Sequence, residues 1–147
     1  MFNSTKFIGL GIPTIQDAFI NNAGQFDFVI KLILTSFTLS AGFKGGEVTP
    51  LFFIGATLGN ILIWFIPLPM ALLAGMGFVA IFSGATNCVY ASIALGLELF
   101  GMKAGVYIGL ASVVAYFTSG PNGIYSAQLK VGLKYAAYYY FKKITKL

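Results

Sequence analysis

The chain has 147 residues, of which 58% are apolar or aromatic and only 9% are charged, with a formal net charge of +5 and a mean hydropathy of +0.86. A soluble domain carries about 25% charged residues, so an ordinary water-soluble enzyme, a disordered segment and a nucleic-acid module are excluded. The charge is unevenly placed: residues 48–97 and 104–129 contain no Asp, Glu, Lys or Arg, and runs of that length read as membrane-embedded chain.

In chain order, Pro13 and Asp17 predict a short helix over about 13–21, followed by a turn at Asn21, Asn22 and Gly24. An apolar helix over 26–41 follows, with Asp27 and Lys31 spaced as an i, i+4 pair near its start. Gly42-Phe43-Lys44-Gly45-Gly46 breaks it. A helix over 47–66 then has Pro50 in its first turn, where a missing N–H is tolerated, and is stopped by Pro67 and Pro69. Shorter segments are expected over 70–82, 88–100 and 102–117, with a break at Ser83-Gly84-Ala85-Thr86-Asn87. After a second break at Ser119-Gly120-Pro121-Asn122-Gly123, a last helix over 124–144 runs into lysine. Several of these segments are shorter than the ~20 residues of a perpendicular span. Discontinuous helices of this kind aim their termini at a substrate in transporters, and their breaks must be buried in protein or line a cavity. The expected fold is an all-α integral membrane bundle of tilted, discontinuous helices.

Five of the nine lysines are Lys130, Lys134, Lys142, Lys143 and Lys146, which by the positive-inside rule predicts a multi-pass protein of the cell membrane with a cytoplasmic C-terminus. A bilayer is the expected partner and nucleic acid is not. With no histidine and no spaced cluster of Cys, Asp and Glu, neither a metal site nor a cofactor is expected. Cys88 reads as a small buried hydrophobe. Tyr107, Tyr116, Tyr135 and Tyr138 to Tyr140 read as interfacial belt residues, Glu98 as a helix-end or interhelical polar contact, and Lys44 as a snorkelling lysine.

Two stretches carry chemistry. Gly45-Gly46-Glu47-Val48-Thr49-Pro50 places two glycines, which allow close backbone approach and unusual dihedrals, directly before a helix start whose first N–H groups lack intrahelical partners. In a low-dielectric setting that is an anion site, although a structural turn with Glu47 as a dipole-complementing acid uses the same residues. The second stretch is Ser119-Gly120-Pro121-Asn122-Gly123-Ile124-Tyr125-Ser126-Ala127. Its Tyr125 phenol, in the first turn of the predicted helix, can donate to an anion without trapping it by a full charge.

At these residues the sequence resembles the CLC chloride channels and transporters. Gly46 to Pro50 with Leu51 to Gly59 is similar to the family's third anion-binding segment, a Gly-x-Phe-x-Pro followed by a small-residue helix. Gly123-Ile124-Tyr125-Ser126 is similar to the segment that supplies the central coordinating tyrosine. Phe82 to Thr86 and Glu98 to Gly101 are also CLC-like, and the resemblance runs from about residue 7 to 141. Val48 stands where chloride-handling members carry phenylalanine, and Glu47 where they carry an apolar residue. Glu-Val-Thr-Pro is similar to the fluoride/proton antiporter branch.

The resemblance implies a secondary transporter or channel rather than an enzyme, exporting fluoride coupled to protons, with chloride channel or chloride/proton antiport as the alternative. It implies that Gly46, Glu47, Val48, Thr49 and Tyr125 bind the anion and that Glu47 takes part in proton coupling. Fluoride is strongly hydrated, so hydrogen-bond donors must replace its water. Desolvation at membrane depth favours a neutral carboxyl, which can carry a proton and donate to the anion. The family's first half, with its Gly-Ser-Gly-Ile-Pro-like and Gly-Arg/Lys-Glu-Gly segments, has no counterpart here, so residues 1–147 are expected to form part of the second inverted half only, with a missing N-terminal half as partner and a homodimer interface over 87–117. A non-functional truncated membrane fragment and a small self-assembling pore are the competing expectations.

Overall fold

The computed structural model describes residues 4–43, 45–125, 127–128 and 133–144, and the elements among them are helical. A 3-10 turn at Ser4–Phe7 leads into α1 (Ile12–Asp17), α2 (Asp27–Ser40) and α3 (Val48–Ile61), which is extended by a 3-10 turn over Leu62–Trp64. Then come α4 (Met70–Thr86), α5 (Val89–Phe100), a 3-10 turn at Met102–Ala104, α6 (Gly105–Thr118) and α7 (Leu133–Ile144).

The centre of the bundle is the α3–α4 pair. The prolines at 67 and 69 close the turn between them, and Pro69, in an extended conformation, begins α4. Gly55 lies against Gly77 and Gly59 against Leu73 and Ala74, so the two helices run antiparallel. A β-carbon on Gly55 or Gly77 would fall on the other's carbonyl oxygen, and one on Gly59 would fall on that of Leu73. Small residues on both sides let the backbones approach until only glycine fits, the packing mode of helices that cannot use water to drive association. Phe52 stacks on Phe78 with ring centroids 3.9 Å apart, and Phe78 meets Phe100 edge-on at 5.8 Å. Phe19 then meets Phe100 at 5.4 Å, so one aromatic cluster joins α3, α4 and α5 to the segment after α1.

α6 runs parallel to α4. The Ser83 hydroxyl donates to the carbonyl of Ser112 at 2.8 Å, and Gly84 faces Ala115 and Ser119. α5 returns antiparallel to α6, with Gly96 against Ile108 and Leu97 against Gly105. Most other helical hydroxyls turn inward onto their own helix: Thr57 donates to Phe53 O at 2.7 Å, Ser92 to Cys88 O at 2.7 Å and Ser112 to Ile108 O at 2.8 Å. Such back-bonding satisfies a polar group without water.

Several boundaries differ from the sequence expectation. Ser83 to Thr86 do not break the chain. α4 continues through them because Ser83 is held by α6, and it ends at Asn87 in a left-handed cap (φ 57°). Ile124, Tyr125, Ala127 and Gln128 are not helical, so the helix expected from 124 does not start there, and its described part is α7. α1 stops at Asp17, and the helix expected over 47–66 becomes α3 and a 3-10 turn. Asp27 and Lys31 do not pair with each other. Asp27 takes Lys6 at 2.7 Å instead. Tyr135, expected in a belt, is buried, and Cys88 is only half-buried, its sulfur accepting from the Gln128 amide at 3.2 Å. Lys44, Ser126, Lys130 and Lys146 lie outside the described residues.

Among the described residues no helix is long and apolar enough to cross a membrane. The longest, α4, has 17 residues, about 25 Å at 1.5 Å per residue against a hydrocarbon core of about 30 Å.

Candidate functional site

α3 begins where the motif predicts a helix start. Glu47 occupies the N-cap position, its side chain is exposed and makes no capping hydrogen bond, and Val48, Thr49 and Pro50 form the first turn. The carboxylate thus caps no backbone N–H, while its place at the helix start is also that of an acid complementing the helix dipole. The unusual dihedrals expected at Gly45 and Gly46 are not there. The positive φ of this loop belongs to Gly42 (82°), which ends α2. What Gly45 and Gly46 provide is open space, since a β-carbon on either would meet nothing within 4 Å.

Gly45, Gly46, Glu47 and Pro50 line a cavity of about 240 Å³ between the start of α3, the outer half of α2 and the N-terminal segment. Its wall also contains Lys31, which the sequence placed in a helix-end ion pair. Lys31 is only 4% exposed. Its ammonium donates to the carbonyls of Gly9 at 2.7 Å and Phe7 at 3.1 Å and lies 5.3 Å from the Phe53 ring centroid. Gly9 is left-handed (φ 64°), a conformation open to glycine at no steric cost, and its carbonyl accepts from the lysine. The sequence signal for Lys31 was its place in an otherwise apolar helix, where an ionisable side chain marks a functional position by default.

Tyr125 does not line this cavity. Its ring is half exposed, and its turn is fastened to the end of α4: Ile124 N donates to Ala85 O at 2.8 Å, and Gln128 N donates to Tyr125 O at 3.2 Å. Gly123 packs against Ala85 and the Asn87 amide. The same end of α4 receives α7, because the buried Lys134 ammonium donates to the Asn87 side-chain oxygen and to Ser119 Oγ, the latter at 2.8 Å, over the Tyr116 ring at 4.5 Å. These described residues thus present two separate parts, an open helix start beside a buried lysine, and a tyrosine turn clamped to α4. Asn87, Ser119 and Lys134 were not singled out together from sequence, since their contact spans residues 87 to 134.

Residues 1–120 match the family described as voltage gated chloride channel, a match that includes Gly46 to Thr49 and ends before Tyr125. The chain is 49% identical over 123 residues to a chloride/fluoride channel protein of Pseudomonas syringae pv. tomato, covering 84% of this chain and 27% of that protein. It is 29% identical over 115 residues to an uncharacterised protein of Methanocaldococcus jannaschii, covering 76% of this chain and 29% of that one. The chain thus spans less than a third of the length of the curated relatives it matches. With most of its residues matched, the chain belongs to the voltage gated chloride channel family.

Proposed function

We propose that the chain is a segment of a CLC-type membrane transporter and that it moves fluoride outward in exchange for protons. The observation that carries this reading is the start of α3: an exposed glutamate at the N-cap with no capping bond, preceded by unobstructed glycines and facing a cavity. In the proposed mechanism, N–H groups at Glu47 and Val48 and the hydroxyl of Thr49 replace the water around the anion at the start of α3, and the Tyr125 hydroxyl, on its separate turn, does so at another point of the path, each donor compensating part of the dehydration. Protonated Glu47 donates to the anion as well, and its proton is the one exchanged. Val48, smaller than the phenylalanine of chloride-handling members, leaves room for that carboxyl. The similarity to a relative whose name includes fluoride supports this ion.

The same name includes chloride, which favours chloride handling as the second reading. The two readings separate in proteoliposomes that contain the complete transporter carrying this segment. Fluoride/proton exchange predicts proton-coupled fluoride efflux, with Glu47→Gln abolishing the coupling and Thr49→Ala slowing transport. Chloride transport at equal or greater rate, insensitive to Glu47→Gln, contradicts it. We further propose that this segment supplies one of two inverted halves, with the anion path at their interface, and that a homodimer forms through the face over 87–117.

A further inference from the structure

Asp27 and Lys31 are the buried charged residues of α2, and the proposed transport step uses neither. Asp27, one helical turn before Lys31, is held by Lys6 at 2.7 Å and also accepts from Gly24 N at 3.0 Å. Lys31 itself has backbone carbonyls and an aromatic face as partners. Lys6, Asp27 and Lys31 therefore form a cluster with a net charge of +1, and its unneutralised member lines the cavity that Gly45, Gly46 and Glu47 open into. Carbonyl dipoles stabilise an ammonium without cancelling its charge, and because Lys31 itself is buried that charge acts over several ångströms. The Glu47 carboxylate on the same cavity would by itself repel an anion.

We propose that Lys31 is the anion-attracting residue of this cavity: its charge, set against Glu47 and left uncancelled because Asp27 is bound to Lys6, draws a small anion to the start of α3. This inference rests on the reading of Gly46 to Thr49 as an anion site. Lys31 does not touch the anion. Held back by Phe7 O and Gly9 O, it raises the local anion concentration without forming the direct ion pair that would trap it.

The test is a charge series measured by isothermal titration of sodium fluoride into the purified complete transporter carrying this segment, in detergent at low ionic strength. Lys31→Gln and Lys6→Gln each lower the cluster charge by one and are expected to weaken binding about tenfold. Asp27→Asn raises it by one and is expected to tighten binding by a similar factor, while Lys31→Arg stays within about twofold. These differences shrink at high ionic strength. A purely structural lysine does not order affinities by charge, and Lys6→Gln and Asp27→Asn carry the test even if Lys31→Gln fails to fold. If the charge variants bind like the unaltered transporter while Thr49→Ala weakens binding, the role of Lys31 is overturned and the anion site stands. If the unaltered transporter binds no fluoride at millimolar concentration, the site reading fails and the inference falls with it.

Discussion

Asn60 shows how single side chains hold this fold where water is scarce. It is 1% exposed, and its amide donates to Ala18 O at 2.6 Å and Asn21 O at 2.9 Å while its oxygen accepts from Ala23 N at 2.9 Å. One side chain thus satisfies three backbone groups at the exit of α1, where the chain leaves the helix and has no ladder to join. Asn60→Ala is expected to destabilise the chain by about 2–4 kcal/mol, because it strands several buried polar groups at once. Thermal unfolding followed by circular dichroism in detergent checks this, and a change below about 0.5 kcal/mol would show that the staple does not hold α1. Lys31 is the cationic counterpart, with its partners 22 and 24 residues upstream. Neither role was legible from sequence, since both depend on backbone carbonyls that any residue type provides. The i, i+4 spacing of Asp27 and Lys31 pointed instead to a local pair that Lys6 displaces. The place of Glu47 at the start of α3 was legible, because two glycines before it and Pro50 after it fix where a helix can begin.

At the scale of elements, the α3–α4 contact is the part most dependent on residue size. Gly77→Ala would drive a methyl group into the Gly55 carbonyl and to 2.9 Å from the Gly59 Cα, so a loss of about 1–3 kcal/mol is expected from overpacking. Gly109→Ala in α6 meets nothing within 4 Å and is expected to be neutral or to stabilise by up to about 1 kcal/mol through helix propensity. Chemical denaturation of the two variants side by side separates packing from propensity, and equal effects would contradict the close approach. The helices themselves were largely legible, because apolar runs bounded by Gly and Pro leave few alternatives. The stretch from Ser83 to Thr86 was misread as a break because small and polar residues mark turns in water. Here Ser83 binds α6 and Thr86 returns its hydroxyl to Phe82 O at 2.8 Å, and the helix continues. That Ile124 and Tyr125 lie outside a helix was hidden for the opposite reason, since Ile124 N is captured by the distant Ala85 carbonyl.

At the scale of the whole molecule, large apolar side chains stand exposed on nearly every helix, among them Phe37 at 76%, Tyr90 at 91% and Val106 at 73%. Exposure on this scale marks contact with lipid or with further protein, and the chain spans 27% of the chloride/fluoride channel protein it resembles. Residues 1–147 alone in liposomes are therefore expected to give no fluoride/proton exchange, and robust fluoride efflux would contradict the proposal that a further half completes the path. For the proposed dimer, a cysteine at Tyr90 or Val106 in a Cys88→Ser background is expected to crosslink between copies, whereas one at Leu58 is not. The reverse pattern would place the interface on α3. The ion preference proposed for the start of α3 is read most directly from Glu47→Ile combined with Val48→Phe in the complete transporter, with fluoride and chloride fluxes compared in the same vesicles. The expected result is a loss of fluoride preference by at least about tenfold, equivalent to about 1.4 kcal/mol of discrimination. An unchanged fluoride-to-chloride ratio would contradict the assignment of Glu47 and Val48 to the anion site.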